Sequence, residues 1–189
     1  YEISLGLVGS EMCIRDSVLS PYEAIGGAEW YKGTANAIYQ NIAFIEKYDP
    51  KYVVVLSGDH IYKMNYANMI DFHKKNNADC TIAVLEVPWE EASRFGILAT
   101  DENEQIYEFA EKPKEPKGNL AVPPFYCYSA CDVKRIQEAL DNGCGYDAPG
   151  SFAAWLSKQT PMHAYLMPGK RYDIGDINSY EYVKSVFSK

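Results

Sequence analysis

The 189-residue chain predicts an α/β fold, a mixed and mostly parallel sheet flanked by helices. Three observations carry this reading. The run Tyr52-Val53-Val54-Val55-Leu56 is β-branched and apolar and ends in Ser57-Gly58-Asp59, the pattern of a fully buried central strand that delivers a carboxylate to its C-terminal edge. A helical period over Asn65 to Asn77 and a second β-branched run over Cys80 to Val87 follow, so the order strand, helix, strand predicts a parallel pair with a right-handed crossover. Phe95 to Thr100 and Gln105 to Ala110 alternate in polarity around Asp101-Glu102-Asn103-Glu104, which predicts a hairpin and makes the sheet mixed.

In open α/β sheets the C-terminal strand edge is where ligands bind, so Asp59 is the first candidate for chemistry. An aspartate beside a glycine that lets a phosphate approach the backbone suits a Mg²⁺ ligand in nucleotide chemistry. For an arbitrary strand-Gly-Asp, a simple turn is the commoner outcome.

Composition narrows the function classes. The length suits one domain with a sizeable core, and 47% hydrophobic with 23% charged residues is ordinary for a globular protein. A net charge of −8 argues against binding to nucleic acid or anionic membranes, because the long-range field repels phosphate. A phosphorylated ligand then needs local cations or a metal. Five cysteines, Cys13, Cys80, Cys127, Cys131 and Cys144, include no Cys-x-x-Cys pair and suggest neither a disulfide frame nor a zinc site, so a reducing cytoplasm is expected. No apolar run approaches the ~20 residues of a membrane span, and no signal peptide is expected at the N-terminus.

Along the chain, residues 1–17 read differently from the rest. Ser4 to Ser17 resembles a translated sequencing-adapter read-through, so this tail is expected to be foreign to the domain and the gene to be cut upstream of Val18. Residues 18–31 are loop-like around Pro21, Gly26 and Gly27. Gly33-Thr34 then opens a helix, with Thr34 as N-cap and Ala37, Ile38, Asn41, Ile42 and Ile45 on one face. Such a start offers free N–H groups to a phosphate or a base edge, although most Gly-Thr starts are only caps. In the helix after the first strand, His73 is read as a packing or surface residue. Glu111-Lys112 directly follows a strand, where Glu111 could accept from sugar hydroxyls and Lys112 pair with a phosphate. A strand over Phe125 to Tyr128, helices over Asp132 to Leu140 and Ser151 to Lys158, a strand over His163 to Met167 and a last helix over Ile177 to Phe187 complete the reading. Asp176 is expected to cap that last helix, which leaves Asp173 as the better ligand candidate.

Several pieces occur together and in order: Trp30 to Ala37, Leu56 to Tyr66, Glu90 to Ile97, Glu108 to Pro113 and Tyr172 to Gly175. Jointly they resemble the sugar-phosphate nucleotidyltransferase family, and from Val18 to about Leu120 most resemble its bacterial branch that transfers adenylyl to glucose 1-phosphate. The resemblance implies a Rossmann-like sheet of the nucleotide-diphospho-sugar transferase type, here without the first strand and its signature loop. It implies that Gly33, Thr34 and Gly58 serve the nucleotide, that Asp59 and Asp173 hold Mg²⁺, that Gly96 offers its backbone to the sugar, and that Glu111 and Lys112 grip the sugar and its phosphate. Asp59, Lys112 and Asp173 are thereby the expected catalytic set. The implied substrates are a nucleoside triphosphate, ATP favoured, and glucose 1-phosphate. The implied products are ADP-glucose, for glycogen synthesis, and pyrophosphate. A homo-oligomer is left open.

Three departures qualify the resemblance. The family's Gly-rich, Arg-containing loop that cradles the triphosphate is absent, so the chain by itself is expected to be inactive or nearly so. Ala121 to Tyr128 and Asp147 to Phe152 look closer to thymidylyltransferase-like relatives, which makes thymidylyl or other sugar-1-phosphate nucleotidyl transfer one alternative and a sugar-nucleotide-binding fragment without turnover another. The C-terminal β-helix of the adenylyl branch is also absent.

Overall fold

The structure, a computed structural model, describes residues 31–145 and 149–187 and, before them, residues 3–4, 18–19, 23–24 and 27–28. Apart from Ile3–Ser4, the tail expected to be foreign lies outside the described residues. β1 (Ile3–Ser4) pairs antiparallel with β2 (Val18–Leu19), and β3 (Glu23–Ala24) with β4 (Gly27–Ala28). The segment expected to be all loop therefore contains short ladders.

Helix α1 (Thr34–Gln40) begins one residue earlier than expected: Gly33, not Thr34, is its cap. Gly33 has φ 152°, a conformation open to glycine, and its carbonyl accepts from Ala37 N–H at 3.0 Å. Asn41 interrupts the predicted helix before α2 (Ile42–Glu46). Then come β5 (Tyr52–Leu56), β6 (His60–Lys63), α3 (Tyr66–Lys75) and β7 (Cys80–Glu86). A 3-10 turn at Trp89–Arg94 leads into β8 (Gly96–Thr100) and β9 (Ile106–Glu111). The expected hairpin is present, with Asp101 Oδ1 accepting from Asn103 N–H and Gln105 N–H, each at 2.9 Å. The chain continues through β10 (Leu120–Val122), β11 (Phe125–Ser129), α4 (Ala130–Val133), α5 (Ile136–Asp141), α6 (Pro149–Leu156), β12 (Met162–Leu166), β13 (Lys170–Asp173) and α7 (Ile177–Phe187).

Seven strands form one sheet in the order β5-β11-β7-β10-β8-β9, with β12 on the other edge of β7. The sheet is mixed, as expected, but β5 and β7 are not neighbours. They run the same way with antiparallel β11 between them, so the expected parallel pair is corrected to β7 with β12. The reason lies at Pro123-Pro124. Proline lacks the N–H that a ladder needs, so the chain bends there into β10, which pairs with the end of β7 and with β8, and β11, which pairs with the start of β7 and with β5. The buried central strand is therefore β7, whose Cys80 to Val84 are all buried. In β5 only Val53 is buried, and Leu56 is 42% exposed.

Both faces of the sheet are covered, and the period of two along the strands sorts the side chains. Cys80, Ile82 and Val84 of β7, with Tyr126 and Tyr128 of β11, pack against α1, α5 and α6 through Ala35, Ile38, Ile136, Phe152 and Leu156. Ala83, Phe125 and Cys127 point the other way, toward Tyr62, Met69 of α3 and Met167.

His73 is a packing residue. It is 1% exposed, with Nδ1 2.8 Å from Thr81 Oγ1 and Nε2 3.1 Å from Ser129 Oγ. Burial disfavours the imidazolium and lowers its pKa from 6.5 to about 4, against the opposing pull of Asp132. The unfolded chain takes up this proton from about pH 6.5 downward, whereas the folded chain resists it until about pH 4. Stability should therefore fall as pH is lowered through that window, by up to about 3 kcal/mol from this one group. Urea unfolding of the parent and of His73→Leu at pH 7 and pH 4.5 checks this. The stability gap between them should narrow at the lower pH, and an unchanged gap would refute the assignment.

Candidate active site

The site is built where β5 ends. Ser57 donates from its hydroxyl to Asp59 Oδ1, and Gly58, with open space where a Cβ would stand, leads to the exposed Asp59. The chain turns at once into β6, which pairs antiparallel with β13 in a register that sets Asp173 opposite His60 and Tyr172 opposite Ile61. One further backbone bond, Ile174 N–H to Asp59 C=O at 2.8 Å, ties the two acidic segments directly. Two carboxylates far apart in the chain thus reach one rim.

The two acids face a common point. A Cβ built on Gly175 would stand 3.1 Å from Asp173 Oδ1 and 3.9 Å from Asp59 Oδ2, so the bare glycine leaves a cradle between them. Below it lies His60, its side chain 9% exposed, with Nε2 3.3 Å from Asp173 Oδ2 and Nδ1 3.7 Å from Asp59 Oδ1. Gly175 N–H donates to Asp173 Oδ1 at 2.9 Å and, as the largest cause, holds that carboxyl below the usual carboxylate range. Burial pushes the neighbouring Tyr62 hydroxyl far above its ordinary range, so it keeps its proton. Asp176 Oδ1 accepts from Ser179 N–H at 2.9 Å, the expected cap of α7, which leaves Asp173 free of that duty.

Among the described residues no group of three or more His, Cys, Asp or Glu side chains is arranged to hold a metal. Two exposed carboxylates over a glycine cradle nevertheless suit a hard divalent cation that keeps water and phosphate oxygens as its remaining ligands.

A second cradle lies at the end of the β8–β9 hairpin. Gly96 is buried opposite Glu111 in the ladder, and a Cβ there would stand 2.9 Å from Glu111 Oε2. Gly150 of α6 approaches the same oxygen, its own Cβ position being 3.2 Å from Glu111 Oε2 and 3.7 Å from the Tyr126 hydroxyl. Lys112 follows with φ 46°, a left-handed backbone uncommon for a lysine, pinned by Lys112 N–H to Phe95 C=O at 3.1 Å. Its side chain is exposed. Arg171 connects the two cradles. It lies two residues before Asp173, on the same face of β13, and its guanidinium stands 5.7 Å from the centre of the Phe95 ring, next to Gly96.

Of the residues singled out from the sequence, Asp59 and Asp173 therefore meet at one rim and Gly96, Glu111 and Lys112 at the adjoining one, while Gly33 and Thr34 open α1. Asn36 and Asn41 of that motif serve the local fold: Asn36 Oδ1 accepts from Lys32 N–H at 3.0 Å and Gln40 Nε2 at 2.9 Å, and Asn41 Nδ2 donates to Ala37 C=O at 2.8 Å. The structure adds His60, Tyr62, Gly150 and Arg171. His60 carried a signal, its place directly after Gly58-Asp59. Gly150 and Arg171 carried none that a local pattern reveals.

The sequence profile of the family described as nucleotidyl transferase matches residues 17–187. This chain belongs to the nucleotidyl transferase family. Among curated relatives, the glucose-1-phosphate adenylyltransferase of Geobacillus stearothermophilus is 61% identical over 168 residues, covering 86% of this chain and 43% of that protein. The enzyme of the same name from Clostridium acetobutylicum is 55% identical over 166 residues, covering 86% of this chain and 44% of the relative. The chain thus spans less than half the length of these relatives. Among solved structures, a Bacillus anthracis protein described as a glucose-1-phosphate thymidylyltransferase in complex with sucrose superposes with a TM-score of 0.69 at 23% identity, covering 84% of this chain and 62% of that one. At that identity the likeness establishes the nucleotidyl transferase fold. No helix among the described residues is long and apolar enough to cross a membrane.

In this chain the β6–β13 ladder depends on one glycine. A Cβ on Gly169 would stand 1.9 Å from Lys63 C=O, a backbone atom that cannot yield. Gly169→Ala is expected to lose more than about 3 kcal/mol or to open the ladder. Guanidinium unfolding together with amide exchange at Tyr62 and Tyr172 checks this, and a variant with parental stability and protection would show that the two strands are not held this closely.

Proposed function

We propose that this chain is the catalytic part of a nucleotidyltransferase that moves an adenylyl group from ATP to glucose 1-phosphate, yielding ADP-glucose and pyrophosphate for glycogen synthesis in the cytoplasm. The observation that carries the reading is the meeting of Asp59 and Asp173 over the Gly175 cradle, with Arg171 of the same strand reaching the Phe95 ring beside the Gly96–Glu111 cradle. The names of the 55% and 61% identical relatives support adenylyl over thymidylyl transfer.

In this reading Asp59 and Asp173 would hold Mg²⁺, which when bound neutralises charge on the phosphate oxygens. The chain's own residues position the partners. Gly33 and Thr34 present backbone N–H groups to the nucleotide, and Gly58, without a side chain, lets a phosphate come close to the main chain. The backbone at Gly96 and the Glu111 carboxylate orient the sugar, the latter by accepting from its hydroxyls. Lys112, its backbone locked by Phe95, brings a point charge to the sugar phosphate. A sugar phosphate has a second pKa near ~6 and is already a dianion at neutral pH, so the nucleophile needs no general base. Catalysis reduces to in-line placement and charge neutralisation. The triphosphate cradle in this reading is the Gly-rich loop expected ahead of Val18. The family match beginning at residue 17 supports treating the preceding tail as foreign to the domain.

Joined to that loop, the protein should release pyrophosphate from ATP and glucose 1-phosphate only with Mg²⁺, and faster with ATP than with dTTP, UTP or GTP. Asp59→Asn should lower kcat by about 10³-fold or more, the scale of losing a preorganised charge at the reacting phosphate. Retained full activity would remove the metal assignment.

Lys112→Ala should raise the KM for glucose 1-phosphate about tenfold with a smaller change in kcat, as for lost ground-state binding. A KM equal to the parent's would make Lys112 a solvated loop lysine.

A further inference from the structure

We propose that His60 and Tyr62 form a positioning relay that sets the orientation and spacing of the Asp59 and Asp173 carboxylates and thereby the divalent-cation affinity of the rim. The inference rests on the metal reading of those two aspartates. It begins with a contrast in exposure: the Asp59 and Asp173 side chains are 58% and 52% exposed, yet the His60 ring that touches both is 9% exposed. Two exposed acids share one largely buried floor.

The hydrogen-bond directions follow from counting protons. The Tyr62 hydroxyl has a single proton and two acceptors in reach, His60 Nδ1 and Pro124 C=O, each at 3.2 Å. Pro124 C=O already accepts from Ser57 N–H at 3.1 Å. If Tyr62 gave its proton to Pro124, a neutral His60 would donate from Nδ1 and turn a bare Nε2 lone pair toward Asp173 Oδ2. The opposite arrangement satisfies every group. Tyr62 O–H donates to His60 Nδ1, the ring carries its proton on Nε2, and Nε2–H donates to Asp173 Oδ2 at 3.3 Å.

The relay is anchored at its far end. Tyr62 is 6% exposed and its ring centre lies 5.0 Å from that of Phe125, on the strand that carries Pro124. Asp173 is then held by two donors, Gly175 N–H on Oδ1 and His60 Nε2–H on Oδ2, and its remaining lone pairs are turned toward the cradle it shares with Asp59. Groups of this kind behind a ligating carboxylate fix its direction, and their removal typically costs 10–100-fold in metal affinity.

Two readouts on the chain as it stands test this. The first is the ¹H–¹⁵N multiple-bond spectrum of the neutral His60 ring, which reports the tautomer without any metal. The second is Mn²⁺ affinity by electron paramagnetic resonance, with unfolding midpoints as the check on folding. The parent should show the Nε2–H tautomer. Tyr62→Phe, which keeps the ring against Phe125, should move the spectrum toward a tautomer mixture and weaken Mn²⁺ binding about three- to tenfold. His60→Ala should weaken it about 10–100-fold, and His60→Gln, whose amide nitrogen reaches Asp173, should restore affinity to within about threefold. An Nδ1–H tautomer in the parent overturns the relay. So does His60→Ala binding Mn²⁺ like the parent while Asp59→Asn loses it. If Asp59→Asn and Asp173→Asn leave Mn²⁺ binding unchanged, the metal reading itself fails and the relay's role in affinity falls with it.

Discussion

The pairing of β6 with β13 is the constraint on which the rest of this site depends. It is a two-stranded ladder of its own, outside the seven-stranded sheet, and its register alone sets Asp173 opposite His60. Backbone bonds rather than side chains do the aligning: the ladder itself, then Ile174 N–H to Asp59 C=O. Side-chain identity matters at one point of its approach, Gly169, where the chain passes too near Lys63 to carry a Cβ. Because main-chain bonds are indifferent to the residues that make them, the arrangement can hold two like charges near each other without an apolar cluster at the rim itself.

The break at Pro123-Pro124 is the second constraint, and it is coupled to the first. By dividing one strand into β10 and β11 it places antiparallel pairing on both halves of β7 and leaves β5 at the end of the described sheet, with its last residue, Leu56, against Phe125. The Pro124 carbonyl, freed from ladder duty, collects Ser57 N–H at the start of the turn that carries Asp59 and lies beside the Tyr62 hydroxyl. The same pair of residues therefore redirects the sheet and fastens the rim. Phe125, just beyond, packs on both Tyr62 and Tyr66, which joins this rim to the face of the sheet covered by α3.

Much of the fold was legible from local pattern, and what was not legible was non-local. Ile177 to Phe187 has its expected bounds because Asp176 supplies a cap and the period is clean. The hairpin from Gly96 to Glu111 announced itself by alternation around an Asp-rich turn. By contrast, His60-Ile61-Tyr62-Lys63 and Lys170-Arg171-Tyr172-Asp173 are short, half polar and poor in β-branched residues, so neither reads as a strand until the other is beside it. The order of strands failed for the same reason: two β-branched runs with a helix between them predict neighbours, and nothing within them says that Phe125–Ser129 will enter the gap. Choosing Thr34 as the cap followed residue preference, whereas the φ of 152° at Gly33 decided the matter. For the site, the resemblance pointed to the acids and the Glu-Lys pair, whereas the approach of Gly150, from a separate helix, to the same oxygen of Glu111 that faces Gly96 is non-local and left no trace in the sequence.

Under the proposed function, a chain of net charge −8 has to bind two phosphorylated substrates, and this sets an electrostatic difficulty. At long range the field opposes both ligands, so attraction must be local. Asp59 and Asp173 alone would worsen the repulsion, and Gly175 N–H keeps the latter ionised rather than letting it neutralise. In that reading, two carboxylates at an open rim favour a small divalent cation over a phosphate, and a bound cation would reverse the sign of the local field. Arg171, stacked beside Phe95, and Lys112, fixed through the Phe95 carbonyl, then extend that positive region toward the Gly96–Glu111 cradle. Phe95 thus meets the Arg171 guanidinium with its ring and the Lys112 backbone with its carbonyl. On the proposed function, the site would attract phosphate only with the acid pair filled, which makes the spacing of two carboxylates, rather than the charge of the whole chain, the quantity that governs substrate capture.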